Sequence, residues 1–125
     1  MIPASTTTPI IFDSIDFDLA NEYDKTTGKF TASNAGYYLV HCGVQYGSGA
    51  GDYEAVIMKS GGIVDDSDAN GSTGLSVGAN VTTVLKVAKG DTLQCASYQT
   101  AGASVALALG FNVSVRNTFS AARLY

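Results

Sequence analysis

Oxygen-bearing side chains recur at every second position in Asp66-Ser67-Asp68-Ala69-Asn70-Gly71. Alternate carboxylate and amide oxygens followed by glycine form the first half of a calcium loop, because side chains two apart can converge on one hard cation. The expectation is a calcium candidate at Asp66, Asp68 and Asn70, carried on an acidic, glycine-rich excursion from Asp65 to Gly74. The second half of the pattern fails: Val77 stands where the bidentate Glu belongs, and no helices flank the run. The competing reading is a solvated acidic turn, with Asp and Gly chosen for turn geometry. No cofactor other than calcium is expected.

The remaining reactive side chains point away from catalysis. Cys42 and Cys95, the two cysteines, both fall at inward positions of alternating runs. Thiols from facing sheets could meet, but a sequence does not set the separation that a bridge requires. The reading adopted is two buried free thiols packing as small hydrophobes, with no CxxC spacing for redox or zinc chemistry. His41 is the single histidine and no Gly-x-Ser-x-Gly elbow accompanies it, which leaves no hydrolase triad. Asp13, Asp16, Asp18, Glu22 and Asp24 cluster in sequence, yet strand alternation scatters them, whereas acid–base work needs carboxylates facing one cleft. Asp18 and Asp24 suit turn positions. The run Gly47-Ser48-Gly49-Ala50-Gly51 lacks the lysine and following helix of a phosphate cradle. The protein is therefore expected not to be an enzyme. Tyrosines beside Gly, Ser and Asn loops suit contact with sugar or protein. The loops at 47–53, 65–74 and 99–104 are the candidates, with Tyr53, Asp65, Tyr98 and Gln99 as contact residues. Plain connectivity is the alternative for each.

Strands must position all of these groups. From Gly36 the residues Tyr38, Val40, Cys42, Val44 and Tyr46 fall on one face of an extended segment, and Tyr37, Leu39, His41, Gly43 and Gln45 on the other. The first face is apolar throughout and belongs to a core. The second opens with Tyr-Leu, too apolar for a monomer's solvent face, and points to a partner subunit. Further strands are expected at Ile10–Phe12, Ile15–Leu19, Lys29–Ala32, Tyr53–Lys59, Leu75–Val77, Val81–Ala88, Thr92–Gln99, Val105–Val115 and Thr118–Tyr125, the last with its Leu-Tyr end pinned in the sheet interior. Residues 1–9 read as an extended arm, leaving 10–125 as one domain. Only 14% of residues are charged and the formal net charge is −4, so surface is expected to be hidden in an assembly and phosphate backbones are unsuitable partners. Nothing approaches the roughly 18–20 apolar residues of a membrane span.

One spacing is specific. Phe12, five residues, Asp18, four residues, Tyr23, six residues, Phe30, five residues, Gly36, one residue, Tyr38 resembles the aromatic pattern of the complement C1q-like globular head. Val84-Leu85-Lys86-Val87-Ala88-Lys89-Gly90-Asp91 and Asn117-Thr118-Phe119-Ser120 look like that family's strand–turn–strand entry and closing strand. The sequence departs at Val40 and Cys42, where the family prefers aromatics, and at Ala121, usually Gly. The resemblance implies an all-β jelly-roll sandwich of the C1q and tumour necrosis factor type, with about ten antiparallel strands, assembling as a trimer. In such a trimer the interface would include Tyr37, Leu39 and His41.

The functional expectation is a non-enzymatic homotrimer displayed on a particle surface, as a capsid decoration or fibre-tip protein of a bacteriophage. Its partners would be a capsid or fibre protein, or a host-surface glycan or protein, with neither nucleic acid nor membrane insertion. Residues 1–9 carry no basic region followed by an apolar run, and no Gly-X-Y tract is present, which suits a virion protein made in the cytoplasm. The alternative is an extracellular setting: the globular head of a secreted or spore-surface lectin or ligand.

Overall fold

A computed structural model describes residues 2–47, 50–71, 77–102 and 117–125. Among these are nine strands and no helix: β1 (Thr8–Pro9), β2 (Tyr23–Asp24), β3 (Lys29–Thr31), β4 (Gly36–Tyr46), β5 (Gly51–Lys59), β6 (Gly62–Gly71), β7 (Val77–Val87), β8 (Thr92–Gln99) and β9 (Thr118–Arg123). They form two antiparallel sheets. One runs β2-β3-β8-β5-β6, with β1 also paired to β8; the other runs β7-β4-β9. β1 and β3 share one edge of β8 end to end, at Ser97–Ala96 and at Leu93–Thr92. The expected segments at Lys29, Tyr37, Tyr53, Val81, Thr92 and Thr118 all lie in strands; Val105–Val115 and Leu75 lie outside the described residues.

The period-two pattern of β4 organises the core. Tyr38, Val40, Cys42, Val44 and Tyr46 are all buried, and they meet Tyr53, Ala55 and Ile57 of β5 and Leu93 and Cys95 of β8. Each fully buried aliphatic side chain there contributes on the order of 1.5–3 kcal/mol. The cysteines are not free thiols. Cys42 and Cys95 form a disulfide, their α-carbons 5.2 Å apart, joining the two sheets through the middle of the core. Strand parity placed both side chains inward, but the depth at which facing strands meet is a tertiary quantity that parity does not carry.

Tight turns hold the strands in register. Ser60 and Gly61, at φ 47° and 86°, make the two-residue link between β5 and β6, where positive φ at both positions matches the twist of a hairpin. Asp91 accepts from the Ala88 backbone N–H at 2.9 Å and closes the β7–β8 turn. Asp24 accepts from the Thr26 N–H at 2.7 Å and from the Thr27 hydroxyl at 2.9 Å.

Two N-terminal expectations fail. Ile10–Phe12 and Ile15–Leu19 are not strands. Ile10 is buried and its N–H reaches the Cys95 carbonyl at 2.9 Å, prolonging the β1 contact by one bond. Beyond it the chain leaves the sheet, and Phe17 is 82% and Leu19 100% exposed. Apolar–polar alternation specifies a strand only where a partner edge is at hand. Here Asp18 bends the chain instead: its carboxylate accepts from the N–H groups of Glu22 and Tyr23, both at 2.9 Å, with Asn21 at φ 54°. The C-terminal end differs as well. The backbone of the last residues is pinned, with Leu124 N–H on Tyr37 O at 2.7 Å and Tyr37 N–H on Tyr125 O at 2.8 Å. The Leu124 and Tyr125 side chains nevertheless point outward rather than into the sheet interior.

Candidate functional site

The outward face of the β7-β4-β9 sheet is built in rows fixed by register. Tyr37 lies opposite Lys86, Leu39 between Val84 and Ala122, His41 between Thr82 and Ser120, and Gly43 between Asn80 and Thr118. Tyr37 and Leu39 are 40% and 41% exposed, and Val84, Leu124 and Tyr125 are exposed beside them. The Tyr37 and Tyr125 rings lie 5.2 Å apart. One end of the face is thus an apolar patch of five large side chains. Sequence reasoning named Tyr37 and Leu39 but missed the other three. Val84 was within reach through the parity of β7, since Val81 and Val87 bury the opposite face.

The other end is polar. His41 spans its neighbours, with Nδ1 2.8 Å from the Thr82 hydroxyl and Nε2 3.2 Å from the Thr118 hydroxyl. Gly43 makes room for this clasp: a Cβ there would lie 2.6 Å from Asn80 Oδ1 and 3.1 Å from His41 Nε2. The imidazole is bracketed by hydroxyls of the two neighbouring strands, and among the described residues these are its hydrogen-bond partners.

A second cluster lies on the outward face of the other sheet. Glu54 faces Asp68 across β5 and β6, with Asp66 two pairs along on the same face, opposite Val56. Oxygens of Glu54, Asp66 and Asp68 all come within 4.8 Å of one another. Burial pushes the Glu54 carboxyl above its ordinary value, and the negative charges of Asp68 and Asp66 push it further. The calcium expectation is corrected in its geometry. Asp66, Asp68 and Asn70 share one face of a strand rather than ringing a loop, and Glu54 of the neighbouring strand joins the two aspartates. Asn70 stands further along that face, opposite Asp52. A run of acids inside an edge strand reads as a turn when only residue type is considered.

The proposed contact residues separate into two pairs. Tyr53 and Gln99 are fully buried and are therefore not loop contacts. β5 already begins at Gly51 and β8 runs through to Gln99, which turns both side chains inward. The Tyr53 ring lies 4.4 Å from that of Tyr46. The Gln99 amide donates to Ile2 O at 3.0 Å and accepts from the Ala101 N–H at 2.6 Å, fastening the N-terminal segment to β8. Asp65 and Tyr98 are half-buried; Tyr98 lies opposite Glu54, beside the acidic ladder. Tyr46 donates to Glu54 O at 3.0 Å and meets the Ser97 hydroxyl, and burial pushes its phenol up to about 12.

The sequence profile of the C1q domain matches residues 1–120. The chain belongs to the C1q domain family. Curated protein sequences contain no match. Among solved structures it is similar to the globular domain of zebrafish complement 1qA, at 20% identity and TM-score 0.67, covering 98% of this chain and 89% of that one. It is also similar to murine APRIL at pH 5.0, at 12% identity and TM-score 0.67, over 83% of this chain and 80% of that one. Eiger TNF from S. frugiperda follows at 13% identity and TM-score 0.51, over 73% and 71%. The fold is accordingly the C1q/TNF jelly roll. C1q and TNF-like domains are non-enzymatic, form trimers and bind receptors or ligands.

The C1q aromatic pattern now has a physical content. Phe12 stacks on Phe119 with centroids 6.2 Å apart, and its N–H donates to the Tyr23 hydroxyl at 2.8 Å. Phe30 meets Tyr38 edge-on at 5.9 Å, across the two sheets. Gly36 lets the C-terminal tail lie close, because a Cβ there would stand 2.5 Å from Tyr125 O. In this chain Phe12 and Gly36 thus fasten the flanking segments to the sandwich, and Phe30 with Tyr38 ties its two sheets.

Proposed function

We propose that this C1q domain is a homotrimeric display module on a particle surface, with the virion of a bacteriophage as its setting, either as capsid decoration or as fibre tip. The observation that carries the reading is the apolar patch of Tyr37, Leu39, Val84, Leu124 and Tyr125 on the outward face of β7-β4-β9. An exposed apolar cluster of this kind, on a chain with 14% charged residues, is the signature of a surface meant to be covered. Around a threefold axis the patch is buried among three copies, with Tyr37, Leu39 and His41 at the seam. Three repeats of the remaining surface then face outward, and weak contacts by each copy act together. A host-surface glycan or protein, or a capsid or fibre protein, is the partner such a surface would meet.

The secreted or spore-surface reading is compatible with one observation that both settings share. The Cys42–Cys95 disulfide suits an oxidising environment, which extracellular space and virion surfaces share. Light scattering on the purified protein tests the assembly: three times 12.9 kDa is expected, and a single subunit mass sinks the trimer. Immunogold labelling of intact phage particles against culture supernatant tests the setting. Label confined to the soluble fraction would overturn the virion role in favour of the secreted one.

A further inference from the structure

We infer that the Cys42–Cys95 pair is a redox-timed latch: the domain folds first as a dithiol, then closes a bridge that is afterwards out of reach of reductants. The inference stands on the core and not on the trimeric reading. Both cysteines are fully buried, in the centre of a sandwich whose wall is Val40, Val44, Ile57 and Leu93. Their strands reach this depth without the bridge. β4 is paired along its whole length with β7, and β8 with β5 over seven residue pairs. Two further ties span the sheets on either side of Cys42, at Tyr38 against Phe30 and at Tyr46 against Ser97 and the Glu54 carbonyl. Reduced cysteine is itself a good core side chain. The dithiol form thus retains the packing that brings the two sulfurs together.

Closure is thiol–disulfide exchange with a low-molecular-weight disulfide such as oxidised glutathione. The Cys42 thiolate attacks one sulfur of that disulfide and expels one thiolate. The Cys95 thiolate then attacks Cys42 Sγ and expels the second. The two protons and two electrons given up by the cysteines leave on the two released thiols. Because neither sulfur is exposed, each attack requires the sheets to part locally. The asymmetry follows from the cross-link. It joins residues 53 apart in sequence and so raises the free energy of every opened state. The dithiol form opens often enough to be oxidised, whereas the bridged form opens too seldom to be reduced. A chain made in a reducing cell interior would be locked when it meets the oxidising exterior.

The test begins with the full chain made in a reducing cytosol and quenched with N-ethylmaleimide under denaturing conditions. Two adducts per chain are expected, from protein whose circular dichroism before quenching is that of a folded β sandwich. Exposure of the unquenched protein to oxidised glutathione should then remove both adducts over time and raise the melting temperature by about 10 °C or more. Dithiothreitol added afterwards without denaturant should not restore the adducts, while the same reagent in guanidinium should. A bridge already closed in the reducing cell overturns the inference. So does an unfolded dithiol form, equal melting temperatures, or prompt reopening under native conditions. Cys42→Ala/Cys95→Ala serves as the second reference, expected to melt with the dithiol form and to ignore both reagents. Light scattering on the same samples keeps the two proposals apart: a monomeric mass in both redox states sinks the trimer and leaves the latch standing.

Discussion

Tyr46 shows how one buried hydroxyl couples the core to pH. Its phenol is held neutral by burial, with the Ser97 contact opposing the shift, and ionises at about 12 in the fold against 10.0 in the free side chain. The unfolded chain therefore loses this proton first as pH rises. The stability tied to the neutral phenol is fully present below pH 10 and drains away between pH 10 and about 12. Tyr23 and Tyr38 are also raised, mainly by burial, and add to the same slope. Tyr46→Phe should thus flatten the loss of melting temperature in this window without abolishing it. At pH 7 the variant should be less stable by about 1 kcal/mol, because the Glu54 carbonyl loses a donor. Melts followed by circular dichroism from pH 8 to 12 decide it; an unchanged alkaline slope removes Tyr46 as a contributor. Residue-level chemistry was only partly legible in the sequence. The inward parity of Tyr46, Cys42 and Cys95 could be read from alternation, but their partners could not, since Ser97, Glu54 and the paired sulfur arrive from strands whose depth and order are set by the whole sandwich. Gly36 was legible as a pattern position, and its reason, the passage of the Tyr125 backbone, was not.

At the scale of elements, β4 and β8 were readable because each buries a full alternating face, and a one-residue slip would turn every core side chain outward. β6 was not. Its Asp65-Asp66-Ser67-Asp68 run has the composition of a turn, yet it hydrogen-bonds along β5 from Gly62 to Gly71 as the outer strand of its sheet among the described residues. Charges on an edge strand discourage pairing with another chain's edge, which gives these acids a use unrelated to any cation. They carry a cost. Glu54 faces Asp68 directly, and like charges opposite one another on a sheet are destabilising. Glu54 is raised by burial first and by Asp68 and Asp66 after that, so its contribution is present at acid pH and is lost as pH climbs past the ordinary carboxylate range. Asp68→Asn should accordingly raise the melting temperature at pH 7 by about 2 °C in chelator-containing buffer. The gain should shrink as pH falls through the ordinary carboxylate range and Glu54 takes up its proton. A variant less stable than the parent at pH 7 would show that the carboxylate is a favourable partner and not a repelled one.

At the scale of the molecule, one face of the sandwich carries an exposed apolar patch, and whether other copies cover it sets how stability should depend on concentration. If three copies bury the Tyr37–Leu39–Val84 patch, the assembly binds folded subunits only, and dilution must lower the melting temperature. Leu39 is the position at which to break this link. Its side chain sits between Val84 and Ala122, is 41% exposed in the single chain, and faces away from the core. An aspartate there leaves the subunit's interior untouched. At the seam it would place three carboxylates in apolar surroundings, where no basic residue pairs with position 39 on either neighbouring strand. An uncompensated buried charge costs about 3–5 kcal/mol, enough for each copy to forbid association at micromolar protein. Leu39→Asp should therefore sediment as a single subunit with the circular dichroism of the parent, and its melting temperature should no longer move with concentration. The parent, over the same dilution series, should lose several degrees. A Leu39→Asp protein that keeps the parent's mass and its concentration dependence would place the seam elsewhere on the sandwich and leave the patch without its partner.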